Sequence, residues 1–75
     1  MVMGEITIMM IQIPEFKFSI GDTIHRNGDK YFIYNIIYDM RERCWMYKYS
    51  YWDAGYEHFC KAKIEYIEKD FEIVK

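Results

Sequence analysis

The chain contains no leucine and only two alanines, whereas it contains twelve isoleucines, eight tyrosines, five phenylalanines and two tryptophans. Leucine and alanine are among the strongest helix formers, while β-branched and aromatic side chains lose rotamer freedom in a helix and pack well on a pleated sheet. The apolar content of this sequence is therefore concentrated in residues that favour strands. This bias predicts an all-β domain.

The length of 75 residues allows one domain with one hydrophobic core. We predict a single domain over residues 1–75, with an N-terminal strand in residues 1–14 and a small β-barrel in residues 15–75. Hydrophobic residues make up 52% of the chain and aromatic residues 20%. Each buried position therefore removes a large area from water, which allows a short chain to fold without a metal or a disulfide.

Ten lysine and arginine residues against twelve aspartate and glutamate residues give a formal net charge of −2. This balance provides no overall positive field to gather phosphates, which disfavours nonspecific nucleic-acid binding. The apolar N-terminus lacks a basic start and a cleavage site and is too short to cross a bilayer, so we interpret it as structure. Without a secretory signal, Cys44 and Cys60 indicate free thiols in a reducing, cytoplasmic compartment.

The stretch from Glu5 to Ile13 is an apolar run whose isoleucines fall on both faces of a strand. Pro14 ends it, because proline cannot donate a hydrogen bond to a strand ladder. A small barrel has one interior, so one face of this strand would stay uncovered in a monomer, and native proteins pair or cover such strands. We therefore predict a homodimer through this segment. The alternative is a monomer in which the strand folds back over the open end of the barrel.

Turn signals divide the rest of the chain into strands. Asn27-Gly28 is a strong hairpin signal, because both central residues of a type I′ turn need positive φ. We interpret Ala54-Gly55 as a second two-residue turn and the charged segment from Asp39 to Arg43 as a solvated connection. The predicted strands run from Thr23 to Arg26, Tyr31 to Tyr38, Cys44 to Trp52, Tyr56 to Ile64 and Phe71 to Val74.

The two-residue turn at Ala54-Gly55 sets the register between the third and fourth of these strands. It places Tyr51 opposite His58, Tyr49 opposite Cys60, Tyr47 opposite Ala62 and Trp45 opposite Ile64. Large side chains then face small ones, the odd-numbered aromatic residues of the third strand form the core, and lysines occupy the other face. A helix from Cys60 to Phe71 is the alternative, because apolar residues recur there at helical spacing.

The segment from Ile64 to Asp70 is short and charged, and it predicts one helical turn before the closing strand. From Gly21 to Lys75 the order of elements is hairpin, charged loop, strand, tight turn, strand, helical turn and closing strand. This order resembles that of SH3-like small β-barrels, in which a 3₁₀ turn precedes the last strand. The resemblance implies an all-β, SH3-like five-stranded barrel with one short helical turn, to which the N-terminal strand is added.

The sequence carries no motif of a metal site or an enzyme. His58 and Cys60 share one strand face while Cys44 falls on the other, so these residues do not assemble a zinc site, and the two cysteines stay too far apart for a disulfide. Glycine-rich phosphate loops and the common hydrolase, protease and dinucleotide motifs are missing. We therefore expect a protein without a metal, a cofactor or an enzymatic activity.

Eight tyrosines cannot all be deeply buried in so small a domain, because each hydroxyl needs a partner or water. Tyrosine and tryptophan are enriched at binding surfaces. We therefore expect exposed aromatic residues near the loops to bind another macromolecule, with a protein partner favoured. The candidate residues are Trp52, Phe59, Tyr56, Tyr38, Lys48, Lys61 and Lys63.

Two alternatives remain open from the sequence. The lysines of this set, together with Trp52 and Phe59, would also suit a binder of nucleic acid or a nucleotide, in which bases stack on aromatic rings. The small size and an amino-acid usage typical of AT-rich coding DNA suggest a phage-type inhibitor that sequesters a host factor.

The N-terminal strand generates a prediction about oligomeric state. Light scattering on the intact chain at tens of micromolar is expected to give the mass of a dimer, because pairing of two such strands buries both of their apolar faces. A shortened chain beginning at Pro14 is expected to be monomeric. A monomeric mass for the intact chain would contradict the prediction, and a dimeric shortened chain would place the interface elsewhere.

Overall fold

A computed structural model of the protein describes residues 12–74. Residues 5–11 of the predicted N-terminal strand, and with them most of the predicted dimer contact, lie outside the described residues. The described chain forms one five-stranded antiparallel sheet and one short helix, which confirms the all-β prediction. Its elements are β1 Thr23–Arg26, β2 Asp29–Asp39, β3 Cys44–Asp53, β4 Tyr56–Lys63, α1 Ile64–Asp70 and β5 Glu72–Ile73.

The elements lie close to their predicted positions, with a difference where β4 meets α1. β4 ends at Lys63 because Ile64 already begins α1, and α1 is a seven-residue helix rather than a single turn. The alternative of a helix from Cys60 to Phe71 is therefore wrong for its first part, since Cys60 to Lys63 pair with β3. Pairing with a neighbouring strand outweighs the helical spacing of the apolar residues in this part of the chain.

Two type I′ turns build the two hairpins. Asn27 and Gly28 have φ values of 53° and 85°, and Ala54 and Gly55 have φ values of 53° and 81°. Positive φ at both central residues is what this turn requires, and its twist matches that of the flanking strands. The strand order is β4-β3-β2-β1-β5, so β1 pairs with β5 as well as with β2.

The pairing of β3 with β4 confirms most of the predicted register. Tyr51 lies opposite His58, Tyr49 opposite Cys60 and Tyr47 opposite Ala62. The predicted pair of Trp45 with Ile64 does not form, because Ile64 has left the sheet for α1. Alternating residues define two faces of the sheet, which we call the core face, with Tyr47, and the outer face, with Ser50.

A bulge in β2 changes which of its residues lie on each face. The pairing with β3 shifts between Ile33 and Asn35, so that Tyr34 is an extra residue without an opposite partner. Ile33 lies on the core face before the bulge, and Ile36 and Tyr38 lie on it afterwards. Alternation in this strand therefore restarts after Tyr34.

The hydrophobic core lies on the core face, between the sheet and a cover made of α1 and residues 16–20. Its buried members are Phe18, Ile24, Ile33, Tyr47, Ile67 and Phe71. Half-buried residues extend it, and Tyr31 contacts Tyr49, Tyr51 and Phe71 edge-to-face with ring centroids 5.2–5.7 Å apart. Aromatic rings thus fill much of a core that a leucine-rich protein would build from aliphatic side chains.

The hydroxyl of Tyr47 holds this cover in place. It donates a hydrogen bond to Oε2 of Glu68 in α1 at 2.6 Å and accepts one from the N–H of Phe18 at 3.2 Å. The same Glu68 oxygen accepts the N–H of Lys17 at 2.9 Å. Burial, together with the Glu68 carboxylate, raises the pKa of Tyr47. The hydroxyl therefore stays protonated and remains a donor.

The carboxylate of Asp39 closes the connection between β2 and β3. Its Oδ1 accepts the N–H groups of Arg41 and Glu42, both at 2.9 Å, and its Oδ2 accepts a hydrogen bond from Lys61 Nζ at 2.7 Å. The hydrogen bond from Lys61, followed by that from the Glu42 N–H, lowers the pKa of Asp39 to about 2. One carboxylate thus shapes a turn and reaches across to β4.

The substitution Tyr47→Phe removes the hydroxyl and leaves the Phe18 N–H without its partner, while the Glu68 carboxylate keeps only the N–H of Lys17. We expect the free energy of unfolding to fall by about 1–3 kcal/mol, the cost of leaving buried polar groups unpaired. Urea denaturation followed by circular dichroism measures it. The matched control is Tyr66→Phe, because Tyr66 is an exposed side chain of α1. Equal effects of the two substitutions would contradict the proposed role of Tyr47.

The lowered pKa of Asp39 predicts a pH dependence of stability. Its folded pKa of about 2 lies below the ordinary value of 3.8, so its charged form stabilises the folded chain fully above about pH 4 and progressively less as pH falls toward 2. Asp39→Asn keeps an oxygen for the turn but removes the charge. Urea denaturation at several pH values between 7 and 2 should show a shallower acid loss for this variant. Parallel losses in the two proteins would contradict the assignment.

Candidate binding surface

Three exposed aromatic side chains surround a buried serine on the outer face of the sheet. Ser50 lies opposite Phe32 of β2 on one side and Phe59 of β4 on the other, so these residues form one row across three strands. Trp52 follows two residues after Ser50 and lies on the same face. The exposed fraction is 44% for Phe32, 63% for Phe59 and 71% for Trp52, against 2% for Ser50.

The bulge residue Tyr34 adds a fourth ring to this surface. Its ring contacts Phe59 edge-to-face, with centroids 5.5 Å apart and an interplanar angle of 88°. The ammonium group of Lys48 lies 5.8 Å from the centroid of the Tyr34 ring, within cation–π range. We call Phe32, Tyr34, Trp52 and Phe59 the outer patch.

Charged side chains of both signs lie around the outer patch. Lys61 is bound to Asp39, and Lys48 lies over the Tyr34 ring. Lys63 is half-buried opposite Met46, and Glu57 lies opposite Trp52. The charge of Lys61 is therefore neutralised by an ion pair within the protein, and the patch is apolar with a rim of both signs.

The structure brings together five of the seven residues that the sequence nominates for binding. Trp52, Phe59, Lys48, Lys61 and Lys63 all lie on the outer face, as their alternation along β3 and β4 predicts. Trp52 is largely exposed, which confirms the prediction for this tryptophan.

Tyr38 and Tyr56, the other two residues of that set, have the parity of the core face and lie outside the outer patch, and their role in binding stays a prediction. Tyr38 is half-buried on the core face, where its ring contacts Trp45 with centroids 5.5 Å apart. The reason is the bulge, which shifts alternation in β2 by one residue before Tyr38 is reached. Tyr56 is exposed but lies beside the β3–β4 turn with the parity of the core face, opposite Asp53.

Trp45 is less buried than the sequence predicts for a core residue. It is half-buried, with its ring 5.5 Å from Phe16 and its indole N–H donating to the carbonyl of Gln12 at 3.0 Å. β4 ends at Lys63, which lies opposite Met46, so no residue of β4 lies opposite Trp45. The covering residues come instead from the segment that precedes β1.

Sequence reasoning did not single out Phe32 and Ser50. Phe32 alternates with the core residues Tyr31 and Ile33, a signal that does indicate the outer face. Its position in a row with Ser50 and Phe59 depends on the register between β2 and β3. A four-residue connection and a bulge are compatible with more than one register, so the sequence does not determine which residues lie opposite each other. The composition of the patch therefore became visible only in the folded chain.

Within residues 12–74, no group of three His, Cys, Asp or Glu residues is arranged to hold a metal ion. The His58 ring stacks on Tyr51, with centroids 5.0 Å apart and an interplanar angle of 14°. Cys60 lies opposite Tyr49, and burial, followed by the nearby Cys60 thiol, raises the pKa of Tyr49.

No helix within residues 12–74 is long and apolar enough to cross a bilayer.

Comparison of the chain with protein-family models, with curated proteins and with solved structures found no match. No relative therefore assigns an activity or a partner to this surface. What the protein does has to be inferred from the chemistry of its own side chains. The outer patch is the feature of the described residues with the clearest capacity to bind.

Proposed function

We propose that the protein is a non-enzymatic binding module that engages a protein partner through the outer patch. The observation that carries the proposal is the row of Phe32, Ser50 and Phe59 with Trp52 beside it, three large exposed aromatic side chains that no element of residues 12–74 covers. Contiguous exposed apolar surface is uncommon on monomeric proteins and marks interaction sites. Buried aromatic anchors with a polar rim are what binding hot spots are made of.

We further propose that the fold is an SH3-like small barrel. Support comes from the order of two hairpins, a short helix and a closing strand that pairs back on β1. In such a barrel the core face is enclosed, and the outer face remains free for a partner. The free thiols of Cys44 and Cys60 support a cytoplasmic location, and a homodimer through the strand from Glu5 to Ile13 remains part of the proposal.

The second candidate function is binding of nucleic acid or a nucleotide, and a specific observation favours it. Lys48, Lys61 and Lys63 share the outer face with the aromatic rings, the combination that single-strand binders use. The ion pair of Lys61 with Asp39 weighs against it, because a neutralised lysine contributes little to phosphate binding. A phage-type inhibitor of a host factor is compatible with either ligand class.

The test compares capture of partners by the natural chain and by two single variants, Phe59→Ala and Trp52→Ala. Immobilised protein is incubated with an extract of the native cells, and bound proteins are quantified by mass spectrometry. We expect one partner to be enriched by the natural chain and weakened about thirtyfold by either variant, the scale of a hot-spot residue. Both variants should keep their thermal midpoint, because both side chains are largely exposed.

Tyr66→Ala is the matched control, since Tyr66 is an equally exposed aromatic residue that lies on α1. It should leave capture unchanged. Retention of the partner by the patch variants, or its loss in the control, would contradict the proposal. Tight binding of single-stranded oligonucleotides with a steep dependence on salt would instead favour the second candidate.

A further inference from the structure

The two hairpins separate at their tips and leave a cleft between them. The pairing of β2 with β3 ends at Phe32 and Ser50, although β2 begins three residues earlier at Asp29 and β3 continues three residues further to Asp53. Over these residues each strand stays paired only with its hairpin partner, β1 or β4. We call the resulting space the hairpin cleft.

The cleft has a small volume and a particular chemistry. Its volume is about 210 Å³, below the range of pockets that enclose drug-sized ligands and large enough for one side chain. It combines aromatic rings with two carboxylates and one ammonium group. The residues that line it are Asp29, Lys30, Tyr31, Tyr51, Trp52 and Asp53.

Charge in and around the cleft favours a cation. A wider hollow of about 470 Å³, which shares Lys30 and Trp52 with the cleft, adds the carboxylate of Glu57. Three carboxylates against one ammonium group leave a net charge of −2. Among the described residues the ion pairs involve Asp39 and Asp70, so the carboxylates of Asp29, Asp53 and Glu57 carry no internal partner.

Backbone groups contribute further acceptors. Ile33 exchanges hydrogen bonds with Gly21 and Asp22, on the β1 side of β2. Backbone groups alternate sides along an antiparallel strand, so those of Lys30 point the other way, into the cleft. In a two-residue hairpin the two residues that flank the turn are hydrogen-bonded to each other, so the backbone groups of Asp53 point toward Tyr56 in β4. By the same alternation, the carbonyl of the preceding residue, Trp52, points into the cleft from β3. These two carbonyls lie where the β2–β3 ladder has opened.

We propose that the hairpin cleft binds the guanidinium group of an arginine presented by an extended segment of the protein partner. This inference rests on the proposed function and names the chemistry of the partner. A planar guanidinium stacks on aromatic rings and directs five N–H donors at carboxylates and carbonyls, and the cleft offers both. A phosphate group would meet a net charge of −2 from the carboxylates and the ammonium group in and around the cleft.

Lys30 makes the proposal sharply testable, because it is the one cationic side chain among the described residues that line the cleft. An incoming arginine is repelled by Lys30 and attracted by Asp29 and Asp53. Neutralising Lys30 should therefore strengthen binding, while neutralising either aspartate should weaken it. An anionic ligand would reverse both signs.

The probe is the peptide acetyl-Gly-Gly-Arg-Gly-Gly-amide, titrated into the ¹⁵N-labelled intact protein and followed by the backbone amide signals. Its matched control carries citrulline, which has the shape of arginine without the charge. We expect saturable shifts at Lys30 and Trp52 with the arginine peptide at millimolar concentration and none with citrulline. Equal shifts with the two peptides, or no shift with either, would overturn the proposal.

Variants then assign the binding to the cleft. Asp29→Asn and Asp53→Asn should each weaken binding of the arginine peptide about two- to fivefold, the scale of a solvated ion pair, and Lys30→Gln should strengthen it by a similar factor. Glu65→Gln, an exposed carboxylate of α1, should have no effect. Weaker binding of the arginine peptide by Lys30→Gln would overturn the proposal, because removal of a like charge from the cleft should not weaken binding of a cation.

The two proposals fail separately. One outcome is that Phe59→Ala loses capture of the partner while the protein with both Asp29→Asn and Asp53→Asn retains it. This result would uphold the binding function and overturn the arginine site. Binding of the arginine peptide with capture unaffected by Phe59→Ala would uphold the cleft and overturn the role of the outer patch.

Discussion

The buried hydroxyl of Tyr47 is the point at which three separate parts of this chain meet. It joins β3 to α1 through Glu68 and to the segment before β1 through the N–H of Phe18. Each of these contacts spans more than 20 residues of sequence, so none can form before the sheet has brought its partners together. The Tyr47 hydroxyl thus adds a directional contact to a core of apolar side chains and, together with the hydrogen bond from the Lys17 N–H to Glu68, favours one arrangement of the cover.

This arrangement divides the sheet into a face that is covered and a face that is largely uncovered within residues 12–74. Core residues alternate with outer residues along each strand, and the large aromatic side chains of the outer face are mostly exposed, although Met46 and Ser50 are buried there. Phe59 and Tyr47 show the contrast, since one is largely exposed and the other is fully buried. A substitution at Phe59 is therefore expected to affect folding less than a substitution at Tyr47.

The sequence predicts those parts of the structure that depend on local chemistry. Positive φ at Gly28 and Gly55 is encoded by the turn residues themselves, and the turn at Gly55 in turn fixes the register of β3 with β4 and the exposure of Trp52. The half-buried position of Tyr38 on the core face has a different origin, because no residue near Tyr34 marks a bulge. Regular pairing without the bulge would put Tyr38 on the outer face. The hairpin cleft was not predictable either, because the length of the β2–β3 ladder is set by how two hairpins twist relative to each other.

The pairing of β2 with β3 does not depend on the bulge residue Tyr34. Because Tyr34 is the extra residue, the strand would keep all its other side chains on their present faces if this position were deleted rather than substituted. What a deletion would remove is the ring that contacts Phe59 and lies beneath Lys48. The sheet does not need this residue to complete its ladder. A β2 strand shorter by this one residue would keep its pairing partners in β3 and lose only the ring that Tyr34 adds to the outer patch.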